Sequence, residues 1–181
     1  MISVVSMNSL YAHGGVDIQG NKCFLTVGTY KMLFTGYQPK TSGEEFCDDI
    51  PLAGQTIIVL DFIDPILRSM MVDYRVFHDV NDVGITATLE DVADIADLDD
   101  ATIFYLPPKQ YPTGTFMVNN DFKNGQYIGV LTVTNIESGN VITSVFPFTV
   151  GIQQVNNWLI ILVLTLFLVV MFFFFKQCRT D

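Results

Sequence analysis

Histidine, cysteine, tryptophan and basic residues are all scarce in this chain. Its 181 residues include two histidines, three cysteines, one tryptophan and nine lysines and arginines, against nineteen aspartates and glutamates. So few cations exclude the basic footprint that nucleic acid or an anionic membrane surface requires. The patterns G-x-S-x-G, H-E-x-x-H and C-x-x-C and a glycine-rich phosphate loop are absent. Their absence excludes, as local motifs, a nucleophile elbow, a zincin centre, a dithiol redox pair and a nucleotide cradle. No spacing of Ser, His and acid makes a catalyst, and the expectation is a non-enzymatic protein.

What is present is uneven hydrophobicity. The run WLIILVLTLFLVVMFFFF, residues 158–175, holds 18 residues with no charge, glycine or proline, and Thr165 is its one hydroxyl. At about 1.5 Å per residue it spans roughly 27 Å, close to the hydrocarbon thickness of a bilayer. Trp158 suits an interfacial anchor at its outer edge, Phe175 ends the run, and Lys176 and Arg179 follow directly. The positive-inside rule then places the tail 176–181 in the cytoplasm and the large domain on the outer side of the plasma (inner) membrane. Setting aside Lys176, Arg179 and Asp181 leaves 18 acids and 7 bases before the span, a net charge of −11. Such a surface favours solubility and cationic partners. The expected partners are the bilayer and other membrane subunits, with no nucleic acid.

An exported domain needs a signal. Residues 1–12, MISVVSMNSLYA, are apolar and end in Ala12 but lack a basic start, and read as a partial signal segment cleaved near Ala12, with a tail-anchored chain or an uncleaved stub as the alternatives. The expected division is therefore 1–12 signal-like, 13–151 domain, 152–157 linker, 158–175 span and 176–181 tail. Cys178 falls on the reducing side. Cys23 and Cys47 fall where disulfides persist, so they are expected to pair. Two free thiols or half a metal site are the alternatives.

The exported part reads as β-structure. Strands are expected at 23–28, 30–37, 56–62, 72–80, 101–106, where Pro107-Pro108 would end the strand, and 115–122. The stretch 38–54 reads as a loop dense in Pro, Gly and acids. Residues 89–100 break the pattern: Leu89, Val92, Ala93 and Ala96 recur at helical spacing among acids, as in a short amphipathic helix or an acidic connection. A hairpin follows, NGQYIGVLTVTN with Tyr127, Gly129, Leu131 and Val133 on one face, then VFPFTVG, where Pro147 implies an edge or bulge. Strands with turn signals every 8 to 12 residues argue for an all-β, immunoglobulin-like sandwich, with Tyr127 as a candidate tyrosine corner.

That hairpin resembles the last hairpin of small extracytoplasmic, membrane-anchored domains of the YtkA, FixH and CopC-like type. The segments AHGG (12–15) and YQPKTSGEEFCDDIP (37–51) also look like those of membrane-anchored periplasmic proteins. The layout of signal, leading His, β domain and C-terminal helix is similar to the copper-binding subunit of particulate methane and ammonia monooxygenases. That likeness implies copper. The monooxygenase subunit uses a His-x-His pair that this chain lacks, since His78 stands alone. Cleavage after Ala12 would make His13 the first residue. Its α-amino group and imidazole would then chelate Cu(II), with His78 as third ligand. The function expected first is a non-catalytic accessory subunit without a cofactor; copper binding or delivery beside a copper monooxygenase or oxidase is the alternative. The acids at Glu90, Asp91, Asp94, Asp97, Asp99 and Asp100 offer oxygen ligands for Ca²⁺ but lack the glycine and closing glutamate of an EF-hand loop. They read as a solvated face. Met32, Met70 and Met71 offer soft thioether ligands for Cu(I) but read first as core filling.

Overall fold

Alternation of side chains across a pleat decides which strands share a face, and here it is regular. Cys23, Leu25 and Val27 are buried between half-exposed neighbours. Thr56, Ile58, Leu60 and Phe62 repeat the pattern. The computed structural model describes residues 16–19, 22–41, 43–152, 161–168 and 171.

One sheet is built from β1 (Val16–Gln19), β2 (Lys22–Val27), β3 (Tyr30–Tyr37), β6 (Gly54–Phe62) and β9 (Thr115–Phe122), paired in that order. The short β4 (Glu45–Phe46) pairs with the end of β3. The second sheet orders β5 (Asp49–Ile50), β11 (Val141–Val150), β10 (Gly125–Thr134), β7 (Met71–His78) and β8 (Thr102–Lys109). Every pairing is antiparallel except β5 with β11. The chain thus changes sheets within five residues, from β4 to β5, where the sequence pattern showed only a loop.

The main core lies between the two sheets. Tyr74 stacks on Phe146 with ring centroids 5.7 Å apart, and Phe34 meets Phe146 edge-on at 5.5 Å. Gly129 has to be glycine. A Cβ there would stand 2.5 Å from the Phe146 ring, so the ring occupies the space a side chain would take. The expected β-sandwich is what forms, with β6 between two neighbours as its nearly continuous apolar run implies.

A second apolar cluster sits on the outer face of the second sheet. Phe77, Ile128 and Val145 point away from the main core and are covered by Ala87, Val92, Ile95 and Ala101. The covering segment contains a 3-10 turn (Gly84–Thr86) and two helices, α1 (Leu89–Ala93) and α2 (Leu98–Ala101). This corrects the single helical face expected there. Val92 is buried, but Leu89 is exposed and Ile95 does the covering. The segment is two short helices with a break between them, so one 3.6-residue period does not run through it. It also explains Phe77, an aromatic among charges: alternation puts it on the face opposite Tyr74 and Val76, in register with Ile128, and there the lid covers it.

Two proline expectations divide. Pro147 lies on β11 where β5, which meets only Thr149 and Val150, no longer covers it, so that stretch is an edge as expected. Pro107 and Pro108 do not end their strand, because β8 is the outermost strand of its sheet and continues through them to Lys109. An edge strand tolerates residues without a ladder donor.

Candidate functional site

The end of the sandwich where the chain leaves the domain gathers most of the distinctive polar groups. Val150 pairs with Gly125, and Tyr127 pairs with His78, so the last rung of β11, the start of β10 and the end of β7 lie together. His78 is exposed and sits edge-on to Tyr127 at 5.5 Å between ring centroids. The Tyr127 hydroxyl donates to the carbonyl of Lys123 at 2.9 Å, the bond of a tyrosine corner, as the turn sequence implied. Burial raises this phenol above the ordinary tyrosine value, and the bond to Lys123 partly offsets that.

Directly after His78 the buried carboxylate of Asp79 accepts the backbone N–H groups of Val83 at 3.1 Å and Gly84 at 2.7 Å. It organises a loop in which Asp82 adopts the left-handed region, φ 53°. Across the same end, the buried amide of Gln38 donates to the carbonyl of Leu52 at 2.5 Å and to the Thr56 hydroxyl at 3.1 Å. Its oxygen accepts the Leu52 N–H at 3.2 Å. Beside it a hollow of about 40 Å³ is lined by Gln38, Pro39, Lys40, Leu52, Ala53 and Gln55. That volume suits water molecules and is far below that of a small-molecule site.

The bridge between Cys23 and Cys47 is formed, with Cα atoms 5.6 Å apart. Cys23 is buried on β2, and Cys47 lies between β4 and β5, so the bridge fastens the sheet change to the first sheet. Met32 and Met70 are core residues. Two of the acids of 89–100, Asp91 and Asp97, serve the chain itself. Asp91 and Thr88 form a reciprocal capping box on α1, and Asp97 accepts the N–H groups of Asp99 and Asp100 at the start of α2. Bonds from the Thr88 hydroxyl and backbone hold the Asp91 carboxyl below its ordinary value. Among the described residues no group of three His, Cys, Asp or Glu converges for a metal.

His13, Trp158, Phe175, Lys176 and Arg179 lie outside the described residues. Of the apolar run, residues 161–168 and 171 are helical and exposed, with Val163, Leu166 and Leu168 each more than 60% accessible. Among the described residues no helix is long and apolar enough to cross a membrane. Pattern reading missed Gln38 and Asp79. Asp79 had a weak signal, an acid ahead of the turn-forming Asn81, Asp82 and Gly84; Gln38 had none.

No family model and no curated protein matches the chain. Among solved structures, the crystal structure of the PmoD soluble domain from Methylocystis sp. (Rockwell) is similar, with 36% identity and a TM-score of 0.61. The match covers 73% of this chain and all of that domain. It supports the monooxygenase-related likeness and not the YtkA, FixH and CopC-like one, whose hairpin pattern any sandwich with a tyrosine corner would share.

Proposed function

Because this chain belongs to the family of the PmoD soluble domain, we propose that it is a membrane-anchored accessory subunit of a particulate methane- or ammonia-type monooxygenase system. The observation that carries this reading is identity of 36% over the whole of that soluble domain. An all-β domain whose hollow beside Gln38 has a volume of about 40 Å³, room for water but not for a small-molecule substrate, fits a binding or assembly role better than turnover. We read the topology as immunoglobulin-like, with β1, β2, β3, β6 and β9 (and β4 beside β3) in one sheet and β5, β11, β10, β7 and β8 in the other. The short parallel β5 beside β11 is the strand that changes sheets. Residues 158–175 supply the anchor, with the domain outside and Lys176 and Arg179 inside. Mild detergent extraction tests the role: the chain is expected to co-purify with monooxygenase subunits, and recovery only as a lone monomer overturns it.

Copper handling is a second reading, favoured by one observation. His78 is exposed, and among the described residues its imidazole has no hydrogen-bond partner, only the edge contact with Tyr127. The described residues supply one imidazole and no third ligand, so copper here depends on His13 being the mature N-terminus. N-terminal sequencing with metal analysis decides it, because a different first residue, or no bound copper, ends this reading.

A further inference from the structure

Three large aliphatic side chains stand in water at the end of the sandwich from which the chain departs. Ile85 is 75% exposed, Val80 52% and Leu52 44%. Leu52 follows β5, which runs parallel to β11 and leaves the sheet at the same end; the N–H of Gly151 bonds to the carbonyl of Ile50 there. Val80 follows β7, whose His78 is level with Tyr127. Ile85 follows Gly84, which lies against Gln126, itself paired with Thr149.

Exposed aliphatics on floppy loops would mean little. These are held. The Gln38 amide grips Leu52 through both its N–H and its carbonyl. The Asp79 carboxylate fixes the backbone of Val83 and Gly84 and thereby the tip carrying Val80 and Ile85. Two buried polar groups are thus spent on presenting apolar side chains to solvent at one end.

The length of chain beyond this end says what they meet. Only residues 152–157 separate the last strand from the apolar run. Six residues reach at most about 20 Å, whereas β10, at ten residues, separates the two ends by about 30 Å. Resting on the anchor reading above, we propose that Leu52, Val80 and Ile85 form a docking tip that seats in the interfacial zone of the lipid bilayer and fixes the orientation of the domain. The domain's net negative charge gives no attraction to anionic headgroups, so the seat is aliphatic and works on zwitterionic lipid at any salt concentration. The opposite end carries Ile63 and Ile66 between β6 and β7, Ile136 in the turn after β10 and Val141 at the start of β11, also exposed. They are the internal control.

Tryptophan quenching by brominated phosphatidylcholine tests this on the full chain in nanodiscs. Trp158 is the only native tryptophan, so it reports on the anchor by itself. In a Trp158→Phe background, Leu52→Trp and Ile85→Trp are expected to lose emission in brominated lipid, while Ile66→Trp and Ile136→Trp keep it. Quenching of Trp158 but not of positions 52 and 85 overturns the docking tip and leaves the anchor standing. Equal quenching at all four reporters overturns a fixed orientation. No quenching of native Trp158 overturns the anchor and the tip with it.

Discussion

At the scale of single residues, the positions that matter most are buried polar groups that close bonds across long stretches of chain. Gln38 joins Leu52 and Thr56, fourteen and eighteen residues away. Gln38→Leu takes away both bonds of the Leu52 backbone to the amide and one of the two bonds of the Thr56 hydroxyl, which keeps its bond to the Gly54 carbonyl, and is expected to cost about 1–3 kcal/mol. Urea denaturation checks this as a lower midpoint with an unchanged slope. Tyr127→Phe removes a single neutral bond to Lys123 and leaves the ring packed on Phe122 and Phe148. It is expected to cost less, about 0.5–1.5 kcal/mol, by the same measurement. The two residues also differ in legibility. Tyr127 sits behind an Asn-Gly turn on an alternating strand, so its local pattern announces its place. Gln38 stands in a run of Pro, Lys, Thr and Ser. Its burial is decided by partners that only the folded chain brings near, and no local signal records it.

Among elements, the strands were largely readable and the acidic lid was not. Strand residues alternate against one core, so period two survives in the sequence. The lid packs on a face that already belongs to another core's outer side, and only Val92 and Ile95 of its long apolar residues turn inward. Its helices are four and five residues long and held by caps more than by length. That gives the lid a pH dependence with a definite sign. The Asp91 carboxyl is held below its ordinary value of 3.8 by the Thr88 bonds. Its contribution to folding is therefore fully present above 3.8 and fades as pH falls through the depressed value. Asp91→Asn is expected to remove that acid-side loss while lowering stability near neutrality, which denaturation midpoints between pH 2 and pH 7 would report. A parallel loss in both proteins across that range would assign the acid sensitivity to other carboxylates. Phe77, the anchor of the lid, tests the packing. Phe77→Ala is expected to cost about 3–5 kcal/mol if the lid cannot collapse onto the gap.

For the whole molecule, the fold depends on a chain that changes sheets between β4 and β5, and the two strands that do so are only two residues each. Two-residue strands pair weakly, so the crossover needs a second fastening. The Cys23–Cys47 bridge supplies it, tying the crossover to buried β2 across a sequence separation of 24. A closed loop of that length stabilises by roughly 3 kcal/mol in the chain-entropy account, or about 10 °C in Tm for a domain of this size. Reduction of the wild-type protein and the double substitution Cys23→Ala, Cys47→Ala are both expected to lower Tm by that amount, whereas Cys178→Ser leaves it unchanged. Calorimetry with and without reductant checks it, and an unmoved Tm would mean that the Gln38 amide and the bonds of Thr149 to Asp48 and Asp49 hold the crossover without help. The outcome bears on compartment as well as on stability. A Tm that falls on reduction would fit the proposed exported placement of the domain, since disulfides persist on the oxidising side of a membrane.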